Sequence, residues 1–157
     1  MSSFYPQTIS SDGGAAGQAT PRRTTGEGPE APLIAVIDDN VELLELLDAV
    51  LTDAGYRTLP LITAREAHGV LPWARPHLVV LDLWLEAPDA GENLLRELEA
   101  DPATRAIPVI VCSGHLAVLP AKVAALQQRG YTVLTKPFGL DALLNLIRTL
   151  IDSPPTA

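Results

Sequence analysis

Beyond residue 32, short unbroken apolar runs alternate with stretches whose apolar residues recur at helical spacing. The run LIAVI at 33–37 contains no polar position, the mark of a strand covered on both faces. Asn40 is placed to cap a helix over 41–54, with Val41, Leu44, Leu47 and Leu51 as its stripe and Gly55 as its stop. Residues 57–62 form a weaker strand, and Thr63 caps a short helix over 64–71 that turns Ala67, Val70 and Leu71 inward. HLVVLDL at 77–83 is a second strong buried strand, followed by a helix over 91–100 carried by Leu94, Leu95 and Leu98. Pro108 opens a strand at 109–113, VIVCS, and Pro120 suits the first turn of a helix running to Gln128. Gly130 ends that helix. TVLT at 132–135 is the last strand, and Leu140, Leu143, Leu144, Ile147 and Leu150 mark a C-terminal amphipathic helix.

Strands and helices alternating in this way predict an α/β domain, a parallel sheet with helices on both faces. Five such units favour the doubly wound, flavodoxin-like strand order 2-1-3-4-5. Residues 1–32 are rich in Ser, Thr, Gly, Ala and Pro and show no periodicity, so they are expected to form a disordered tail. The folded domain is expected over 33–151, with a short C-terminal tail over 152–157.

Composition narrows the function classes. Net charge is −8 with no basic cluster, which speaks against sequence-independent binding to nucleic acid or to an anionic membrane. A single cysteine, Cys112, excludes an internal disulfide and offers no zinc spacing. The N-terminus lacks the order of a signal peptide and no run is long enough to span a bilayer, so a cytoplasmic location is expected.

In a sheet of this kind ligands bind beyond the carboxyl ends of the strands, where strand order reverses. The residues placed there are Asp38 and Asp39 after strand 1, Asp82 at the end of strand 3, Ser113 at the end of strand 4 and Lys136 after strand 5. Three carboxylates in one crevice repel each other and raise each other's pKa, a conflict that a divalent cation removes. Magnesium prefers such hard oxygens and bridges carboxylate to phosphate. An aspartate is a competent nucleophile toward phosphorus, and phosphoryl transfer needs positioning and charge neutralisation above all.

LIAVIDDN, LVVLDLWL, IPVIVCSGH and LTKPF, in that order, resemble the signature segments of response-regulator receiver domains of two-component systems. The resemblance spans residues 33–151. It implies Asp82 as phosphoacceptor, Asp38, Asp39, Asp82 and the backbone carbonyl of Trp84 as Mg2+ ligands, Ser113 as the switch hydroxyl, Lys136 as the conserved-type lysine, and Pro137 as its cis-proline partner. It implies a histidine kinase or histidine phosphotransfer protein as donor and a downstream protein as target, with the chain a monomer or a phosphorylation-dependent dimer that catalyses only its own phosphorylation and dephosphorylation. With only DSPPTA after Ile151, no output domain is expected.

Three positions depart from the family pattern. Glu86 stands where the family has Pro, Gly91 lies nine residues after Asp82, and Val133 replaces the usual aromatic, with Tyr131 two residues earlier. The loop after Asp82 is therefore expected to be one residue longer and reshaped. These departures leave a phosphorylation-independent interaction module as the alternative. Plainer roles remain for other residues: Asp38 and Asp39 as caps of the first helix, Cys112 as a buried strand residue, His115 as a loop residue, His68 and His77 as structural or solvated groups, and Trp73 packed at a helix end.

Overall fold

In the computed structural model, described here for residues 29–153, five strands and five α-helices follow one another in strict alternation. The strands are β1 (Leu33–Ile37), β2 (Arg57–Leu61), β3 (Leu78–Asp82), β4 (Val109–Ser113) and β5 (Thr132–Thr135). The helices are α1 (Val41–Asp53), α2 (Ala64–Ala74), α3 (Ala90–Ala100), α4 (Pro120–Gln128) and α5 (Leu140–Asp152), with one 3₁₀ turn at His115–Val118. All strand pairs are parallel and the sheet order is β2-β1-β3-β4-β5, the order expected from the sequence.

The unbroken apolar runs are explained by two cores. Alternate residues of the strands face opposite ways. Ala35, Ile37, Val79, Leu81, Val109 and Val111 pack with Ala67, Leu71, Leu94, Leu95 and Leu126 from α2, α3 and α4. Ile34, Val36, Leu78, Val80, Ile110 and Cys112 pack with Leu44, Leu47, Leu51, Leu143 and Ile147 from α1 and α5. Cys112 is thus a buried strand residue, and burial pushes its thiol pKa up to about 12.

Local signals fix most boundaries. Asn40 accepts the Leu43 N–H at 3.2 Å and starts α1, while Thr63 accepts the Glu66 N–H at 3.1 Å and starts α2. Gly55 and Gly130 take positive φ (94° and 91°) after α1 and α4. The Nδ1 of His77 accepts the Leu33 N–H at 3.0 Å, so this histidine ties β1 to the segment before β3. His68 pairs with Glu97 at 2.9 Å on the surface between α2 and α3.

Four expectations are corrected. Val41 belongs to the expected stripe of α1 but is 51% exposed: it stands in the first turn, on the rim of a surface groove with Leu44, Pro60 and Ile62. α2 does not stop at Leu71. It runs through Pro72 to Ala74 and closes on Arg75 in the left-handed region (φ 46°), whose N–H returns to Leu71 O at 3.0 Å. Pro72 has no N–H, so the last turn lacks the bond that residue 72 would otherwise give the His68 carbonyl. Trp73 does not pack at the helix end; it is 88% exposed, since α2 buries the face of Ala67 and Leu71 and Trp73 lies about 200° around the axis from Leu71. The C-terminal helix includes Asp152, one residue past the expected domain end. The expected N-terminal tail, apart from residues 29–32, and residues 154–157 of the C-terminal one lie outside the described residues.

Gly91 fixes the approach of α3 to the strand exit. A Cβ there would lie 2.4 Å from the carbonyl oxygen and 2.5 Å from the Cα of Leu83, both backbone atoms that cannot swing aside. Gly91→Ala is expected to destabilise the domain by about 1–3 kcal/mol in urea unfolding, as overpacking does. An unchanged midpoint would show that α3 can shift freely.

Candidate functional site

Each candidate side chain is delivered by the carboxyl end of a strand. Asp38 follows β1, Asp82 closes β3, Ser113 closes β4 and Lys136 follows β5. The register keeps them level: Ile37 pairs with Leu81, Asp82 with Cys112, and Ser113 with Thr135. The ladder continues past the strands, with Leu83 N–H on Cys112 O at 3.1 Å and Lys136 N–H on Ser113 O at 3.3 Å. The Lys136–Pro137 peptide is cis.

The result is a cleft of about 260 Å³ lined by Asp38, Asp39, Asn40, Asp82, Trp84, Ser113, Gly114, His115 and Lys136. The site residues named from the sequence therefore come together. Asp38, Asp82 and Ser113 are buried, whereas Asp39 is exposed. Lys136 Nζ donates to Asp38 Oδ2 at 2.6 Å and to Asp82 Oδ2 at 3.1 Å. The other carboxylate oxygens are held by backbone: Asp38 Oδ1 accepts the Asn40 N–H at 2.9 Å, and Asp82 Oδ1 accepts the Trp84 N–H at 3.0 Å. One carboxylate oxygen from each of Asp38, Asp39 and Asp82 lies within 4.8 Å of the others. Ser113 Oγ accepts the His115 N–H at 3.3 Å.

Burial raises the pKa of Asp82 above the ordinary range, outweighing the Trp84 N–H and the Lys136 charge that favour its ionised form. Burial alone would lower the pKa of Lys136, but its bond to Asp38 and the charge of Asp82 push it up overall, so the ammonium stays charged.

Two features were not legible in the sequence. Trp84 and His115 stack over the cleft with ring centroids 4.1 Å apart and planes 30° from parallel. Their positions, two residues after Asp82 and two after Ser113, bring both beside the cleft, but their contact with each other is set only by the fold. Glu86, at a departure from the family pattern, accepts the Ala64 N–H with both oxygens, at 3.1 and 3.4 Å, and so caps α2 from the loop after Asp82. Its acidic character at a loop position was the available signal, but nothing local names its partner. The aromatic position is also rearranged: Val133 sits within β5, while the Tyr131 hydroxyl donates to Glu99 and its ring lies under Arg129 at 5.2 Å.

The family model for the response regulator receiver domain matches residues 34–148. The chain belongs to this family. Among relatives of this receiver, the nitrogen assimilation regulatory protein NtrX of Azorhizobium caulinodans is 32% identical over 76% of this chain, yet the match covers 26% of that protein's length. The receiver therefore spans only part of the curated relatives it matches. Among solved structures, the non-phosphorylated HemR receiver domain from Leptospira biflexa superposes with a TM-score of 0.71 at 23% identity, covering 80% of this chain and 98% of that one. The receiver domain of a sensor histidine kinase from Pseudomonas aeruginosa, solved with a magnesium ion coordinated in its active site cleft, gives 0.68 at 24% identity, covering 78% and 99%. At these identities both likenesses speak for the fold. Among the described residues of this receiver no helix is long and apolar enough to cross a membrane.

The pKa of Asp82 gives a signed prediction. A carboxyl whose folded pKa is raised stabilises the fold when protonated, and that contribution is lost as pH rises through the folded value. With chelator present, Asp82→Asn should therefore melt above wild type at pH 7. The difference should shrink as pH falls toward 3.8, the ordinary aspartate value. Equal melting temperatures at pH 7 would contradict the net burial penalty.

Proposed function

We propose that this receiver takes a phosphoryl group onto Asp82 from a phosphohistidine donor, a histidine kinase or a histidine phosphotransfer protein. The observation that carries the reading is the placement of one lysine ammonium on two buried carboxylates, beside a third carboxylate, in an open cleft. The donor set also fits Mg2+: hard oxygens only, from Asp38, Asp39 and Asp82, with the Trp84 carbonyl as a further ligand. Held by these residues, Mg2+ would supply positive charge that offsets the carboxylates and the charge of the transferred group.

In this reading an oxygen of Asp82 attacks phosphorus, the P–N bond of the donor breaks, and its imidazole leaves carrying a proton. Lys136 neutralises the transferred group, and the Ser113 hydroxyl donates to one of its oxygens. The Trp84 N–H holds Asp82 Oδ1 so that the nucleophile cannot swing. The domain turns over no separate substrate, acts in the cytoplasm, and passes its signal by protein contact rather than by binding nucleic acid or membrane. The added charge would draw Ser113 toward the phosphoryl group and bias a surface formed by α4, β5 and α5 toward a downstream protein.

Intact mass after incubation with magnesium and a small phosphodonor tests the reading. One phosphoryl group is expected on wild type, none without magnesium and none on Asp82→Asn. No adduct on wild type would favour the phosphorylation-independent interaction module.

The Trp84–His115 stack roofs the cleft, and its bulk is proposed to hold off the water that hydrolyses the acyl phosphate. Trp84→Asn should then lose its phosphoryl group faster than wild type, by about tenfold or more if water approach limits the lifetime. Equal or slower decay would remove the shielding role.

A further inference from the structure

At the amino ends of the strands, away from the cleft, Pro72, Trp73 and Arg75 of the α2 end meet Asp101 and Ala103 of the α3–β4 connection around a cavity of about 430 Å³. Trp73 is 88% exposed there, the largest exposure among the large apolar side chains of the described residues. A tryptophan left in water is the side chain that most often anchors an interface. Arg75 is exposed and has no ion-pair partner among the described residues. Asp101 uses one oxygen to accept the Ala103 N–H at 2.8 Å and keeps the other free.

We propose that this patch binds a second copy of the same chain in a two-fold dimer. A two-fold contact needs one patch to carry both halves of every interaction. This patch does: Arg75 of each copy meets Asp101 of the other, and Trp73 of each covers Pro72 and Ala103 of the other. The groove between α1 and β2 lacks that property. Val41, Pro60 and Ile62 are ringed there only by Glu45, Asp48 and Glu66, and two copies would repel. A patch this small falls below the area of stable complexes, so the dimer is weak and depends on concentration. It leaves the cleft open in both copies and does not rest on phosphorylation of Asp82.

Sedimentation equilibrium of the full chain from about 10 µM to about 1 mM tests it, without phosphodonor. Wild type and Asp82→Asn should both show monomer–dimer exchange, and Trp73→Ala should weaken association by about tenfold or more. Arg75→Glu alone and Asp101→Lys alone each place like charges at both ionic contacts and should be monomeric. Their equimolar mixture restores opposite charges at both and should dimerise. Circular dichroism checks that each variant folds, and Asp101→Asn, which keeps the bond from Ala103, supplies a milder second variant that should weaken the dimer. The proposal is overturned if wild type stays monomeric throughout, if dimer forms only with phosphodonor, if Trp73→Ala leaves association unchanged, or if the mixture of folded variants stays monomeric. Apart from a dimer that needs phosphodonor, these outcomes do not depend on whether Asp82 accepts phosphate.

Discussion

Lys136 Nζ holds one oxygen each of Asp38 and Asp82, two carboxylates that the ends of neighbouring strands have taken out of water. A buried ionised carboxylate is tolerated only with a compensating charge and bonds to its remaining lone pairs. Backbone N–H groups of Asn40 and Trp84 complete those bonds, so the residue two positions after each aspartate is part of the arrangement. The lysine starts from β5, three strands away from β1, a separation of about 14 Å that a long side chain and leaning carboxylates must close between them. Sheet order, register and strand length all have to be right for that meeting to occur.

The same constraint leaves the cleft with unbalanced charge. The ammonium does not fully compensate burial at Asp82, whose pKa stays above the ordinary range. The cleft carries negative charge in excess of what its own lysine offsets. A hard divalent cation held by these carboxylates would offset that excess.

Around this centre, the chain departs from its family by exchanging one kind of contact for another. Glu86 caps α2 across the loop that follows Asp82. On the opposite flank, Glu99 gathers Arg129 and the Tyr131 hydroxyl, and Glu92 approaches Lys122 at 3.2 Å and Arg129 at 3.6 Å, so α3 is tied to α4 and β5 by charge. Tyr131 is therefore engaged from outside the sheet, while Val133 occupies the strand position three residues before Lys136.

The amino-acid sequence by itself determined the fold class, the alternation of elements and the cluster at the strand ends. Short apolar runs such as LIAVI and VIVC, alternating with amphipathic helices, read as strands covered on both faces, and the polar residues that follow them gather at one edge of a parallel sheet. Capping by Asn40 and Thr63 was legible because it is local. Only the tertiary structure decided the exposure of Val41 and Trp73, the extension of α2 past Leu71 to Ala74, the Trp84–His115 stack and the reach of Glu86 to Ala64. Periodicity and caps are encoded within a few residues of one another. Which surface stays uncovered, and which distant side chain meets which backbone group, depends on how elements far apart in the chain are laid against each other.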